Sequence, residues 1–136
     1  MTIKERSQDL SMAVEIVRKH LFEHLGDSEL CKDMCATLAI LLRRVHDDAE
    51  KSANAWDKRA FFLKADALRR EMGWALPLAE LAESLAYSRA PFTRSDAERL
   101  LKALPANLEM PKRPRFKSAE LMRGAAAAAR QTLLKR

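Results

Sequence analysis

The stretch SELCKDMCATLAILLRRVHDDAE, residues 28–50, decides the fold class. Leu30, Met34, Leu38, Leu41, Leu42 and Val45 recur at three- and four-residue steps, which is the period of a helix with one apolar face. It is the most apolar segment of the chain, and the reading places it at the centre of the core. Asp27 or Ser28 can cap its start by accepting a bond from an orphan amide.

Working outward, the preceding residues repeat the pattern. Leu10, Val14, Val17, Leu21 and Leu25 form one stripe on a helix from about Lys4 to Leu25. Gly26 follows, where a helix often ends in a left-handed conformation. Downstream, Asn54 and Asp57 form a weak cap signal; the chain either turns here or continues as one long helix, and a third helical segment is expected from about Ala55 to Met72. It carries Trp56, Ala60, Leu63 and Ala67 in one row, with Phe61, Ala65, Leu68 and Met72 beside it. Gly73 ends it. A short fourth helix follows, with Pro77 in its first turn, where a missing amide costs nothing. Leu78, Leu81, Ala82 and Leu85 form its inner face.

Composition agrees with this pattern. Apolar residues make up 48% and aromatics 6%, and the rest is rich in Glu, Lys and Arg, all good helix formers. Only three glycines are present, and Val, Ile and Thr are sparse, which disfavours strands and phosphate loops. The expected fold class is all-α: a helical bundle of about four helices, then a proline-interrupted basic C-terminal arm and a final helix. At 136 residues the chain fits one domain able to bury a core without metal or disulfide staples.

The character changes near residue 88. Residues 1–88 hold 13 Lys/Arg against 15 Asp/Glu, net −2; residues 89–136 hold 12 against 4, net +8. Clustered charge of this kind points to an acidic partner. The expected division is therefore 1–88 as bundle core and 89–136 as arm and last helix, packed on or extending from the same domain. Four of the five prolines fall between residues 91 and 114. A short helix is expected from about Asp96 to Leu104; Thr93 and Ser95 offer caps, and Ser95 with Glu98 fits a capping box. Ser118 is read as the cap of a last helix from about Ala119 to Leu134.

The candidate site is the arm. Lys112, Arg113, Arg115 and Lys117 lie within six residues with Phe116 among them, a cationic extended segment suited to a phosphate backbone and one stacked base. Arg123 and Arg130, seven apart, continue the charge along one face of the last helix, followed by Lys135 and Arg136. A second basic ridge is expected on the third helix, where Lys58 and Arg59 precede Arg69 and Arg70 by eleven residues, about three turns. Local ion pairs with Asp57, Asp66 and Glu71 are the competing reading of that ridge.

Other constellations carry less. His20 and His24, with Cys31 and Cys35, match a tetrahedral zinc site poorly, and two buried cysteines beside surface histidines is the simpler reading. No metal or cofactor is assigned. His46 beside Asp47 and Asp48 reads as ordinary helix-end charge. The chain has no Gly-rich phosphate loop, no HExxH and no GxSxG, so no enzymatic activity is expected. No segment approaches the roughly 20 apolar residues that span a bilayer, and MTIKERSQDL has no signal core; no membrane partner and a cytoplasmic location are expected. The reading is a non-enzymatic protein that binds DNA or RNA with little sequence preference. It would serve as a small subunit of a larger prokaryotic nucleoprotein complex, such as a defence or nucleic-acid-processing effector. The alternative is an adaptor or assembly factor whose basic arm docks an acidic protein, and a metal-binding helical sensor comes third.

Overall fold

The computed structural model describes residues 3–134, with side chains to residue 131. The described residues form an all-α fold with no strand. Helix α1 (Ile3–Glu15) runs without a break through a π-helical turn (Ile16–His20) into α2 (Leu21–Glu23). Then come α3 (Ser28–Lys58), α4 (Phe62–Met72), α5 (Ala75–Ala86), α6 (Arg94–Ala103), a 3-10 turn (Ala119–Met122) and α7 (Ala125–Leu134).

Helix α3 is the axis on which the others pack. It has 31 residues, about 46 Å at 1.5 Å per residue, and its apolar rows reach both ends. Asp27 caps it, the Oδ1 accepting from the Leu30 amide at 3.0 Å. Leu30, Met34, Leu38 and Leu42 are fully buried, most extensively against α5, whose Leu78, Ala82 and Leu85 face inward. Gly26 does not adopt the left-handed conformation read for it; the chain turns there with negative φ.

Three boundaries differ from the sequence reading. The first is the end of α3. The helix continues through Asn54, because Ala53 is buried and Trp56 packs against a second small core of Val45, Ala49, Ala65, Leu68 and Met72. It ends with the Ala60 amide on the Asp57 carbonyl at 3.0 Å and the Phe61 amide on the Trp56 carbonyl at 2.8 Å. This reciprocal pair is the Schellman pattern, and its left-handed position is normally glycine. Here Ala60 fills it with φ +63°, so the usual sequence sign of a helix end is missing. The second is the start of α6. Thr93 caps it, its Oγ1 accepting from the Asp96 amide at 3.3 Å, while Asp96 accepts from the Thr93 amide at 3.0 Å. Ser95 and Glu98 are not the box. The buried Phe92, whose amide donates to Ser28 Oγ at 2.8 Å, fixes the entry two residues earlier. The third is the last helix, which is two pieces. Gly124, at φ +88°, separates the 3-10 turn from α7. Asp33 of α3 holds the restart, accepting from the Gly124 and Ala126 amides at 2.7 and 3.0 Å.

The segment after residue 88 has no core of its own. Phe92, Leu100, Leu104, Phe116, Ala119 and Met122 are buried in the same cluster as Ile16, Leu38 and Leu78.

Candidate nucleic-acid interface

The basic segment is tied to the first helix by two charged side chains. Ala13, Val14, Glu15, Ile16 and Val17 are all buried, which no one-faced helix shows. At this level the helix is covered on opposite sides, by α3 and by the arm. Glu15 is 1% exposed. Its Oε2 accepts the Arg115 amide at 2.7 Å and its Oε1 the Phe116 amide at 3.2 Å. The Nε2 of His20 lies 2.8 Å from the same Oε1 and donates to it, since a carboxylate can only accept. Five residues on a regular α-helix are about 140° apart in projection, so Glu15 and His20 would point apart. The π-helical turn beginning at Ile16 closes that angle and aims both inward. Burial pushes the Glu15 carboxyl up, but the Arg115 amide, His20 and the Phe116 amide together outweigh it and leave it below the usual glutamate value. It remains an ionised acceptor.

One turn further on, Arg18 spreads its guanidinium over carbonyls of the proline segment. Nη2 donates to Pro105 at 3.1 Å and Nη1 donates to Leu108. Prolines cannot complete a backbone ladder, so their neighbouring carbonyls need an outside donor, and Arg18 is that donor. Pinned at 105–108 and at 115–116, this stretch presents Lys112, Arg113, Arg115 and Lys117 to solvent. Among the described residues none of these four side chains pairs with a carboxylate. Lys117 lines a cleft of about 470 Å³ between this segment and the helix turn carrying Lys19 and His24.

The Phe116 ring is turned toward the core rather than out beside the cations. It is 8% exposed and packs edge-on against His20, with ring centroids 5.8 Å apart. Its alternation with exposed cations is that of an extended segment with one face on the core. Arg123 is held by Glu120 at 2.7 Å and Asp27 at 2.6 Å, which raises its own pKa and lowers both carboxyls. Arg130 lies 4.7 Å over the Tyr87 ring, and the Tyr87 hydroxyl donates to the Ala126 carbonyl at 3.0 Å. Lys135 and Arg136 lie outside the described residues.

The second ridge is not assembled. Lys58 ends α3 and Arg59 lies in the turn, whereas Arg69 and Arg70 sit on α4, so no single helix aligns the pairs. Arg69 bonds Asp57 at 2.6 Å, with Glu50 and Asp66 nearby, and Arg59 stacks 5.1 Å over Phe61. Arg70 is exposed and reaches the Asp66 carbonyl at 3.4 Å. The histidines and cysteines likewise do not converge. Cys31 donates to the His24 carbonyl at 3.1 Å, and His24 Nδ1 donates to the His20 carbonyl at 2.8 Å. Among the described residues no three His, Cys, Asp or Glu side chains gather as metal ligands would. Burial, with Asp27 adding to it, pushes the Cys31 thiol up to about 11, and burial raises Cys35 further.

Sequence reasoning missed Glu15 and Arg18. A Glu–His spacing of five matches no helical pairing, and Arg18 reads as surface charge. The one available signal was a carboxylate between Val14 and Ile16. No family model matches the chain, and neither a curated protein nor a solved structure matches it.

Proposed function

We propose that this chain binds nucleic acid through the phosphate backbone, with little sequence preference, using Lys112, Arg113, Arg115 and Lys117. The observation that carries the reading is that these four exposed cations, paired with no carboxylate among the described residues, stand on a segment whose backbone is pinned by Glu15 and Arg18. A pre-ordered cationic segment loses less conformational freedom on binding than a free tail. Phe116, Arg123 and Arg130 serve the fold in this reading, and so do Arg59 and Arg69; Lys58 and Arg70 contribute only diffuse charge. The chain is a non-enzymatic component of a larger prokaryotic nucleoprotein complex. Titration with single- and double-stranded DNA and RNA at low and moderate salt tests it. Binding should weaken steeply with salt; absence of binding to all four at low salt would refute it.

A second reading, docking on another protein, is favoured by the tip formed by α3 and α4. Phe61, Phe62 and Leu63 are consecutive and 46%, 59% and 84% exposed, an apolar patch of the kind that marks protein contacts. A chain carrying Phe62→Ser and Leu63→Ser should keep its nucleic-acid affinity and lose capture of a host protein from extract. If the unaltered chain captures nothing, this reading fails.

A further inference from the structure

The cleft beside the basic segment has a composition that phosphate binding alone does not require. One wall is the segment itself, with Pro114, Phe116 and Lys117; the other is the helix turn with Lys19, Glu23 and His24. Its volume of about 470 Å³ lies within the ~300–1,000 Å³ range of small-molecule sites. Among the described residues Lys19, Glu23 and Lys117 pair with no opposite charge, so the rim offers two cations and a carboxylate that are unspent. His24 lines the same rim. Its Nδ1 donates to the His20 carbonyl at 2.8 Å, since a carbonyl can only accept, and this fixes the ring at the rim. The rim therefore holds the two oxygens of the Glu23 carboxylate together with two cations, beside the apolar surface of Pro114.

That pattern is complementary to one nucleotide of a single strand. The lysines suit its phosphates, the apolar wall suits a base face, and the acceptors suit N–H groups on a base edge. We infer that this cleft takes an unpaired base from the bound strand, with guanine preferred, because the adjacent N1–H and N2–H₂ of guanine match the two oxygens of the Glu23 carboxylate. Thymine offers a single N–H on that edge, and its carbonyls would face the carboxylate. In a duplex the same edge is consumed by pairing, so the cleft favours single strands. The inference rests on the phosphate-binding reading of the segment and extends it to a base-reading subsite.

The test uses the intact chain, its Glu23→Ala variant and three fluorescein-labelled ligands. These are ten thymidylates, the same strand with two central guanylates, and that second strand annealed to its complement. Glu23 is exposed at the end of α2 and bonds no other element, so the variant should keep the fold. The guanylate strand should bind about tenfold tighter than the thymidylate strand and at least about fivefold tighter than the duplex. Glu23→Ala should reduce the guanine preference to about twofold or less, leaving thymidylate affinity equal or slightly higher, since a negative charge is removed. Equal affinity for strand and duplex, no guanine preference, or a preference that survives Glu23→Ala would overturn the base subsite while the phosphate reading stands. Failure of all three ligands to bind at low salt would overturn both.

Discussion

Replacing Glu15 with glutamine removes one charge and one acceptor from the pin that holds the basic segment. Three donors converge on the carboxylate: the Arg115 amide at 2.7 Å, the Phe116 amide at 3.2 Å and His20 Nε2 at 2.8 Å. Glutamine keeps one oxygen and turns an NH₂ toward at least one of these N–H groups. The site is buried, so water cannot take over the lost bond. A hydrogen bond to a charged group contributes about 1.5–3 kcal/mol, and an orphaned buried donor costs about 1–3 kcal/mol. About 3 kcal/mol is the expected loss for the variant. At 1.4 kcal/mol per factor of ten in an equilibrium constant, that is on the order of a hundredfold larger locally open population. Hydrogen exchange of a peptide covering residues 112–118, compared with one covering α3, separates local release from global loss. The Arg115 and Phe116 amides should lose protection by about that factor while α3 stays protected. The pH dependence carries a sign. The folded-state pKa of Glu15 is lowered, so its contribution is present above the usual glutamate value and is lost as pH falls through the lowered folded value. The unaltered chain should therefore release the segment in acid, and Glu15→Gln should lack that step. Protection within about threefold of the unaltered chain would refute the pin.

Further expectations follow from other sites. Ala60→Gly should raise stability by about 1 kcal/mol in a denaturant melt, because Ala60 sits at φ +63° in the left-handed position of the α3 end; a destabilised variant would contradict this. Leu42→Ala, in the fully buried row of α3, should cost about 2–5 kcal/mol. Cys31 and Cys35 should resist thiol reagents at pH 8 until denaturant is added, because both are buried with raised pKa values; rapid labelling of the native chain would count against the packing around α3.

The all-α architecture was legible because the apolar rows of α1, α3 and α5 are long and regular, and periodicity reports burial directly. The cap of α3 was legible as Asp27 or Ser28 for a similarly local reason, and Asp27 fills it. The end of α3 was not, since an alanine occupies a place that glycine usually marks. The change near residue 88 was visible as charge, which describes a surface; that Phe92, Leu100 and Phe116 enter the same core beneath it was not. Phe116 shows the limit most plainly. In sequence an aromatic among four cations reads as a stacking platform, and only tertiary structure reveals that its ring faces His20. Glu15 and Arg18 lie 100 and 87 residues from Arg115 and Pro105, and no local pattern links such separations.

The central claim is that Lys112, Arg113, Arg115 and Lys117 contact phosphates. It is tested most directly by the salt dependence of oligonucleotide affinity, measured for the unaltered chain and for the Lys112→Glu, Arg113→Glu, Arg115→Glu triple variant. Four phosphate contacts on a single strand predict a slope of about −3 in log affinity against log salt, falling in magnitude to about 1 or less in the variant. An equal slope and affinity in both chains, with helicity unchanged, would contradict it.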